Sequence, residues 1–515
     1  MKKSLFILVA SIACSSAVFA TDWTYDYQKG GYGTDANKII YSSTAGTADT
    51  PGLWKDSDGN YNYGTLPGAS DSVTIGDTGA TSAYYINVDT DVTWGSLSLG
   101  GKDSNSVRIT SVNNINILGD LIRLEGTSQA FFYGAATISI GGNLEVKGGA
   151  NIAFENTKSL VIDGNVSSTN SGNVYLKLSK GGNRTFEQGY LDPDGIIKGV
   201  VNNANVYLKR NTYDSFLQVG GVSGSGIIGG EAQVGKNSKT YIILKNAQDY
   251  TTSGATTETS WPGYWNETCG KLVLVMDGTA SQSFTASKMM FFGGLKAMNG
   301  TIRINFNQDA SQYSYYTNDA KADTITAVTK NDGTGERTAF SHGTLEMLGG
   351  TFSSTDGDNS YGAFRFTDIV YTGGTIKLRL DGADRMDSID LTGYYLESLA
   401  TGGFTAVEGG TLTVAEGAGP VKFDFGDNLA WLVDSEGDGA RIIAWDSSKA
   451  PQLAGGDFSG NIYTGEDGLE YLADFTVAED GLYVKYVAVP EPSTVAALAG
   501  LLALGFAAYA KRRRG

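Results

Sequence analysis

The chain reads as all-β, a right-handed parallel β-solenoid (β-helix) closed by β caps. Three observations predict it. Glycine fills 70 of 515 positions and proline 8, so short strands alternate with tight glycine turns. No stretch before the C-terminal tail keeps a helical period, and helix is expected below about a fifth of the chain. Alternating apolar residues ending in glycine recur with a period near ~20 residues, the spacing of stacked coils.

The repeat is clearest between about Leu97 and Leu178. Ile115-Asn116-Ile117-Leu118-Gly119-Asp120-Leu121 returns as Ile138-Ser139-Ile140-Gly141-Gly142-Asn143-Leu144 and as Leu160-Val161-Ile162-Asp163-Gly164-Asn165-Val166. Gly119, Gly142 and Gly164 fall 23 and 22 residues apart. Leu97-Ser98-Leu99-Gly100-Gly101 reads as a shorter copy 18 residues upstream. In a solenoid each strand stacks on the previous coil, alternate side chains enter the core, and glycine turns the corner without a Cβ penalty. An antiparallel sandwich would alternate too, but it needs no glycine corner at a fixed period.

Further along, Asn299–Ile304, Gly343–Met347, Gly373–Leu378 and Gly409–Val414 share one turn-then-strand shape, which suggests coils with insertions. The organisation expected is a signal peptide over 1–20, a front cap over 21–95, the solenoid over 96–415, a C-terminal β cap over 416–488 and a tail over 489–515. Polar insertions are expected near 251–265 and 307–340. The cap rests on Phe423, Phe425, Trp431, Ile442, Ile443, Trp445, Phe475 and Tyr483, since an uncovered last coil would be an aggregation-prone edge.

Both ends carry addresses. Lys2-Lys3, the apolar run Leu5–Ala13 and Val18-Phe19-Ala20 form a secretory signal peptide with cleavage after Ala20. Cys14 could mark a lipoprotein site instead, but the residue three before it is Ser11 rather than leucine. Cleavage after Ala20 leaves Cys269 as the lone thiol, so no internal disulfide staples the exported chain. At the other end Val489-Pro490-Glu491-Pro492-Ser493 precedes the uncharged stretch Val495–Ala510 and then Lys511-Arg512-Arg513-Arg514. As one helix the stretch would span about 24 Å, short of a bilayer core of roughly 30 Å. Snorkelling arginines and local thinning supply the difference. The cations act as a membrane stop that stays cytoplasmic.

Those three tail elements, in that order, resemble the PEP-CTERM sorting signal of Gram-negative bacteria. The resemblance implies a membrane-bound exosortase as partner, handling at the inner membrane, and delivery to the cell surface or extracellular matrix. A looser resemblance covers the body. Lys271-Leu272-Val273-Leu274 leading to Ser283-Phe284-Thr285 and Gly300-Thr301, and Leu217–Ile227, are similar to autotransporter-associated β-strand repeats, which implies a passenger-type β-helix.

Charge narrows the partners. The formal charge is −17, and removing Lys2, Lys3, Lys511, Arg512, Arg513, Arg514 and Glu491 leaves 32 basic against 54 acidic residues, or −22 for the exported part. Nucleic acid is a poor partner for such a surface.

Catalytic candidates are few. His342 is the one histidine; it sits in a Ser341-His342-Gly343 turn and reads as solvated. Several-histidine zinc sites are excluded. Asp381, Asp384, Asp387 and Asp390 recur every three residues and form a weak calcium candidate, with a solvated turn as the plainer reading. Asp56-Ser57-Asp58-Gly59-Asn60 begins like a calcium loop, with its glycine at the wrong position. Trp261, Tyr264 and Trp265 could stack on sugars or pack a loop base. The expected role is a non-enzymatic structural or adhesin-like protein of the envelope or matrix, with exopolysaccharide as a candidate partner. A polysaccharide-degrading β-helix lyase or hydrolase is the alternative.

Overall fold

A computed structural model describes residues 21–25, 40–41, 54–60, 66–76, 84–88, 90–100, 107–126, 129–170, 172–178, 180–208, 213–230, 238–254, 256–257, 272–286, 291, 293–306, 343–357, 361–392, 394–398, 404–408, 410–433, 437–489 and 509. The signal peptide over 1–20, the insertion over 307–340 and the tail from 490 (Tyr509 apart) therefore lie outside the described residues.

Parallel pairing dominates. One sheet of 22 strands and another of 9 carry the coils, and a 6-stranded sheet closes the C-terminal end. In the regular region each coil has three strands. Ile115–Ile117, Leu121–Arg123 and Gln129–Tyr133 make one coil; Thr137–Ile140, Leu144–Val146 and Asn151–Thr157 make the next. Side chains alternate in and out, so the apolar positions fall in columns along the stack. Leu97, Leu121, Leu144, Val166, Val201 and Val222 form one such column, in parallel register and no more than 1 % exposed. Each side chain buried this way contributes about 1.5–3 kcal/mol. Phe132 and Phe154 stack with ring centroids 5.2 Å apart in the neighbouring column.

Register corrects two alignments. Leu97 pairs with Leu121, not with Ile115, so the true predecessor of the Ile115 strand is Val92–Trp94. Its corner is Gly95, whose carbonyl accepts the Gly119 N–H at 2.6 Å. The later copies also divide between two columns. Thr301, Thr351 and Thr375 share one rung position, whereas Leu345 and Leu412 align with Ile369. The turn-then-strand shape occurs at two corners of a coil, and sequence similarity alone does not distinguish them.

The stack is longer than 96–415. Ser72–Ile75 already pairs in parallel with Ser96–Leu99, inside the segment expected to cap the front. At the other end Val421 pairs in parallel with Phe458 and Ile389 with Ile443. Apolar alternation was the signal for a coil, and short strands such as Val92–Trp94 carry too little of it to be seen alone. Part of the expected polar insertion is strand as well: Tyr250–Thr252 and Thr256–Thr257 each join a sheet.

Before residue 490, helix among the described residues is confined to Phe186–Leu191 and three 3-10 segments. Thr185 and Gln188 cap that helix reciprocally, at 3.3 and 3.0 Å, satisfying two of its otherwise free N–H groups. It lies on the outer face of the sheet, where Phe186 and Tyr190 cover Phe216, Tyr241, Ile243, Val273 and Val275. Burial would raise the Asp277 carboxyl at its rim, but hydrogen bonds from Lys245, Tyr190 and Asn299 outweigh it and hold the pKa below the ordinary range.

The C-terminal cap ends the parallel order. Ala440–Ala444 pairs antiparallel with Gly481–Ala488, which pairs antiparallel with Glu470–Ala478. Phe423, Phe425, Phe458 and Phe475 plug the last coil, ring to ring at 5.5–6.4 Å. Trp431 donates its indole N–H to the Leu380 carbonyl at 2.8 Å. Phe423, Phe425, Trp431 and Phe475 are four of the aromatics on which the sequence places this cap.

The corner glycines are required for a reason other than turn geometry. Gly119, Gly142 and Gly164 do not adopt a left-handed backbone. They sit directly above one another, with Gly142 N–H on Gly119 O and Gly164 N–H on Gly142 O, both at 2.9 Å. A Cβ on Gly142 would come within 2.7 Å of the Gly119 carbonyl carbon. By contrast a Cβ on Gly373 meets nothing within 4 Å. Gly142→Ala is therefore expected to cost roughly 1–3 kcal/mol in chemical denaturation. Gly373→Ala should stay within about 0.5 kcal/mol, and equal costs would contradict the stacking account.

Candidate functional site

Each stacked corner glycine is followed by a short polar side chain, Asp120, Asn143 or Asn165, and these form a ladder. The Asn143 backbone N–H donates to Asp120 Oδ1 at 2.7 Å, and its side-chain amide donates to the same oxygen at 3.2 Å. Asn165 N–H donates to Asn143 Oδ1 at 2.8 Å, and Val200 N–H to Asn165 Oδ1 at 2.8 Å. Each side chain thus satisfies an N–H of the next coil where strand pairing is interrupted. A second ladder, Asn151–Asn173–Asn205, runs on another edge with amide contacts of 2.7 and 2.9 Å.

Beside the first ladder lies a groove of about 590 Å³. Its floor is one outward position on five successive rungs: Ile122, Glu145, Ser167, Asn202 and Ser223, paired in parallel register. At the usual strand spacing five rungs cover about 19 Å. Gln248 and Tyr250 close the far end, with the Gln248 amide donating to the Tyr250 hydroxyl at 2.8 Å. The Tyr250 ring rests on Gly221, where a Cβ would lie 2.3 Å from the ring. The floor is held from within by Arg123, next to Ile122 and fully buried. Its guanidinium donates to the carbonyls of Leu99, Leu124 and Asn151 at 3.1, 2.9 and 3.3 Å. Desolvation lowers its pKa to about 10, so it stays charged at neutral pH. Chemically the groove offers amides, hydroxyls, two carboxylates and one aromatic face along an extended path.

The sequence-predicted acidic run is dispersed. Asp387 is fully buried and paired with Arg379, whose Nε and Nη2 donate to its two oxygens at 3.0 and 3.3 Å. Asp381 accepts from the Tyr361 hydroxyl and from Asn428 Nδ2. Asp390 pairs with Arg365 at 3.2 Å, and Asp384 is exposed. Among the described residues no group of three or more His, Cys, Asp or Glu is placed to share a metal ion. Asp56 closes its own loop, accepting from Asn60 N–H at 2.7 Å and Asp58 N–H at 3.0 Å. The Asn60 backbone bond is the largest cause holding its carboxyl below the ordinary range. His342, Cys269, Trp261, Tyr264 and Trp265 lie outside the described residues.

The groove was not foreseen, although its signal was present. The Gly-Asp or Gly-Asn pair at Gly119-Asp120, Gly142-Asn143 and Gly164-Asn165 stands at the same place in each repeat.

The last described strand is Gly481–Ala488, and Val489 N–H is tied to the Glu470 carbonyl at 2.9 Å. Residues 488–514 match the PEP-CTERM protein-sorting motif. The PEP-CTERM motif marks an exported protein processed by exosortase, bound for the surface or the extracellular space. No curated protein and no solved structure matches the chain. The match contains Val489, Pro490, Glu491, Pro492 and Ser493 and the basic run Lys511, Arg512, Arg513 and Arg514. Among the described residues no helix is long and apolar enough to cross a membrane, and the Val495–Ala510 stretch is outside that set except for Tyr509.

The partitioned acidic run gives a direct test. Asp387→Asn leaves the half-buried Arg379 without the counter-charge that lies fully buried beside it and is expected to cost about 3 kcal/mol in denaturant unfolding, with or without calcium. Asp384→Asn should stay within about 0.5 kcal/mol. A calcium site would give calcium-dependent stability that both substitutions abolish.

Proposed function

We propose that this chain is an exported, non-enzymatic scaffold of the envelope or matrix whose groove lies along a neutral, hydroxyl-rich glycan strand. The observation that carries the reading is the five-rung floor bordered by the Asp120–Asn143–Asn165 ladder and ended by Tyr250. Amides and carboxylates bond sugar hydroxyls, and an aromatic face packs the apolar side of a sugar ring. The net acidity of the exported part and the carboxylates of Asp120 and Glu145 disfavour an anionic polymer.

The stack supplies the rigidity, and the sorting tail supplies the address. Resemblance of the body to autotransporter-associated repeats favours the same use, a passenger displayed outside the cell. The enzymatic alternative needs carboxylates free to exchange protons. Asp120 Oδ1 is instead engaged by two N–H donors of Asn143, which favours binding over acid–base chemistry.

Affinity electrophoresis of the exported body through gels containing neutral or anionic polysaccharides tests this. A neutral glycan is expected to retard the protein and an anionic one much less. Tyr250→Ala should weaken retardation about fivefold, the loss of one ring contact of roughly 1 kcal/mol. No retardation by any neutral glycan, or retardation indifferent to Tyr250, would overturn the reading.

A further inference from the structure

The first described residue touches a carboxylate across a long sequence separation. Thr21 N–H donates to Asp71 Oδ1 at 3.0 Å, and the other oxygen, Oδ2, accepts Gly68 N–H at 2.8 Å. The two segments are held in register. Thr21 O accepts the Ser72 N–H at 3.1 Å, and Asp22, Trp23 and Thr24 pair in parallel with Ser72, Val73 and Thr74. Asp71 is itself fixed at a corner, its carbonyl accepting Gly95 N–H at 2.9 Å and Ser96 N–H at 3.2 Å. The carboxylate is half-buried and cannot swing away without losing the Gly68 bond.

Thr21 is also the residue that follows the signal-peptide cleavage site read from Val18-Phe19-Ala20. Hydrolysis of the Ala20–Thr21 bond consumes one water, leaving a carboxylate on Ala20 and an ammonium on Thr21. The nitrogen that donates to Asp71 as a neutral amide would then carry a full positive charge.

We propose that Asp71 is the receptor for the mature N-terminus. Cleavage after Ala20 turns a neutral hydrogen bond into an ion pair that locks the first strand, Asp22–Tyr25, onto the solenoid. Export and completion of the front coil are thereby coupled, because the charge that seals the stack exists only once the leader is gone. The pairing is stronger than an exposed surface salt bridge, since one partner is a chain end already held by strand pairing and loses little further freedom. This inference is independent of the glycan reading.

The test uses the exported body as released from its host. Mass spectrometry of the N-terminal peptide should show Thr21 first. Amide hydrogen exchange over 22–25 is then compared between protein with a free Thr21 α-amine and protein acetylated there, which keeps the N–H and removes the charge. Acetylation is expected to lower protection of this strand about tenfold, the size of a charge-assisted hydrogen bond partly open to water. In an Asp71→Asn background acetylation should change nothing. A mature chain starting elsewhere, unchanged exchange on acetylation, or equal loss in both backgrounds would overturn the proposal. If Asp71→Asn fails to fold, the acetylation comparison in the wild-type protein decides alone.

Discussion

Stacking one coil on the next forces backbones into contact at the tightest corners, and the architecture depends on meeting that constraint. Along a strand the peptide groups of neighbouring coils satisfy one another. At the corners of Gly119, Gly142 and Gly164 the chain bends, and there is no room for a side chain between rungs. Glycine provides the close approach at positions 119, 142 and 164, and Asp120, Asn143 and Asn165 return the missing acceptor to the coil that follows. Columns of leucine, isoleucine and valine then hold the interior, with no disulfide expected.

The same device creates the candidate surface. A ladder that must sit on the outside edge of the stack leaves a row of polar groups along it. Strand alternation places a second outward row, Ile122 to Ser223, beside the first. The groove follows from the coil geometry with no dedicated loop, and only Gln248 and Tyr250 are added from farther along the chain. The last strand, Gly481–Ala488, is fixed at its end by the Val489 N–H bond to the Glu470 carbonyl, and the sorting match begins at residue 488.

Much of the fold was legible because periodicity reports directly on stacking. Apolar alternation before a glycine identified the coils, and clustered aromatics after Val421 identified the closing cap. Register was less legible. A coil has more than one glycine corner, so Leu97 and Ile115 looked equivalent although they occupy different columns. The site was hardest to read, since it joins single residues from five coils and only their rung alignment makes them neighbours. The run from Asp381 to Asp390 was ambiguous for the opposite reason, a solvated turn being the plainer reading and calcium the weaker one. Closeness in sequence suggested a shared ion, while the backbone sends Asp387 inward to Arg379 and Asp390 toward Arg365.

Cysteine cross-linking between rungs measures the stack itself. With Cys269 replaced, Glu145→Cys and Ser167→Cys stand directly side by side in parallel register, within the Cα separation a disulfide spans. Oxidation should join this pair rapidly while leaving Ile122→Cys with Ser167→Cys, two rungs apart, uncrosslinked. Failure of the adjacent pair to close, or equal closure of both, would contradict the parallel, glycine-cornered stack.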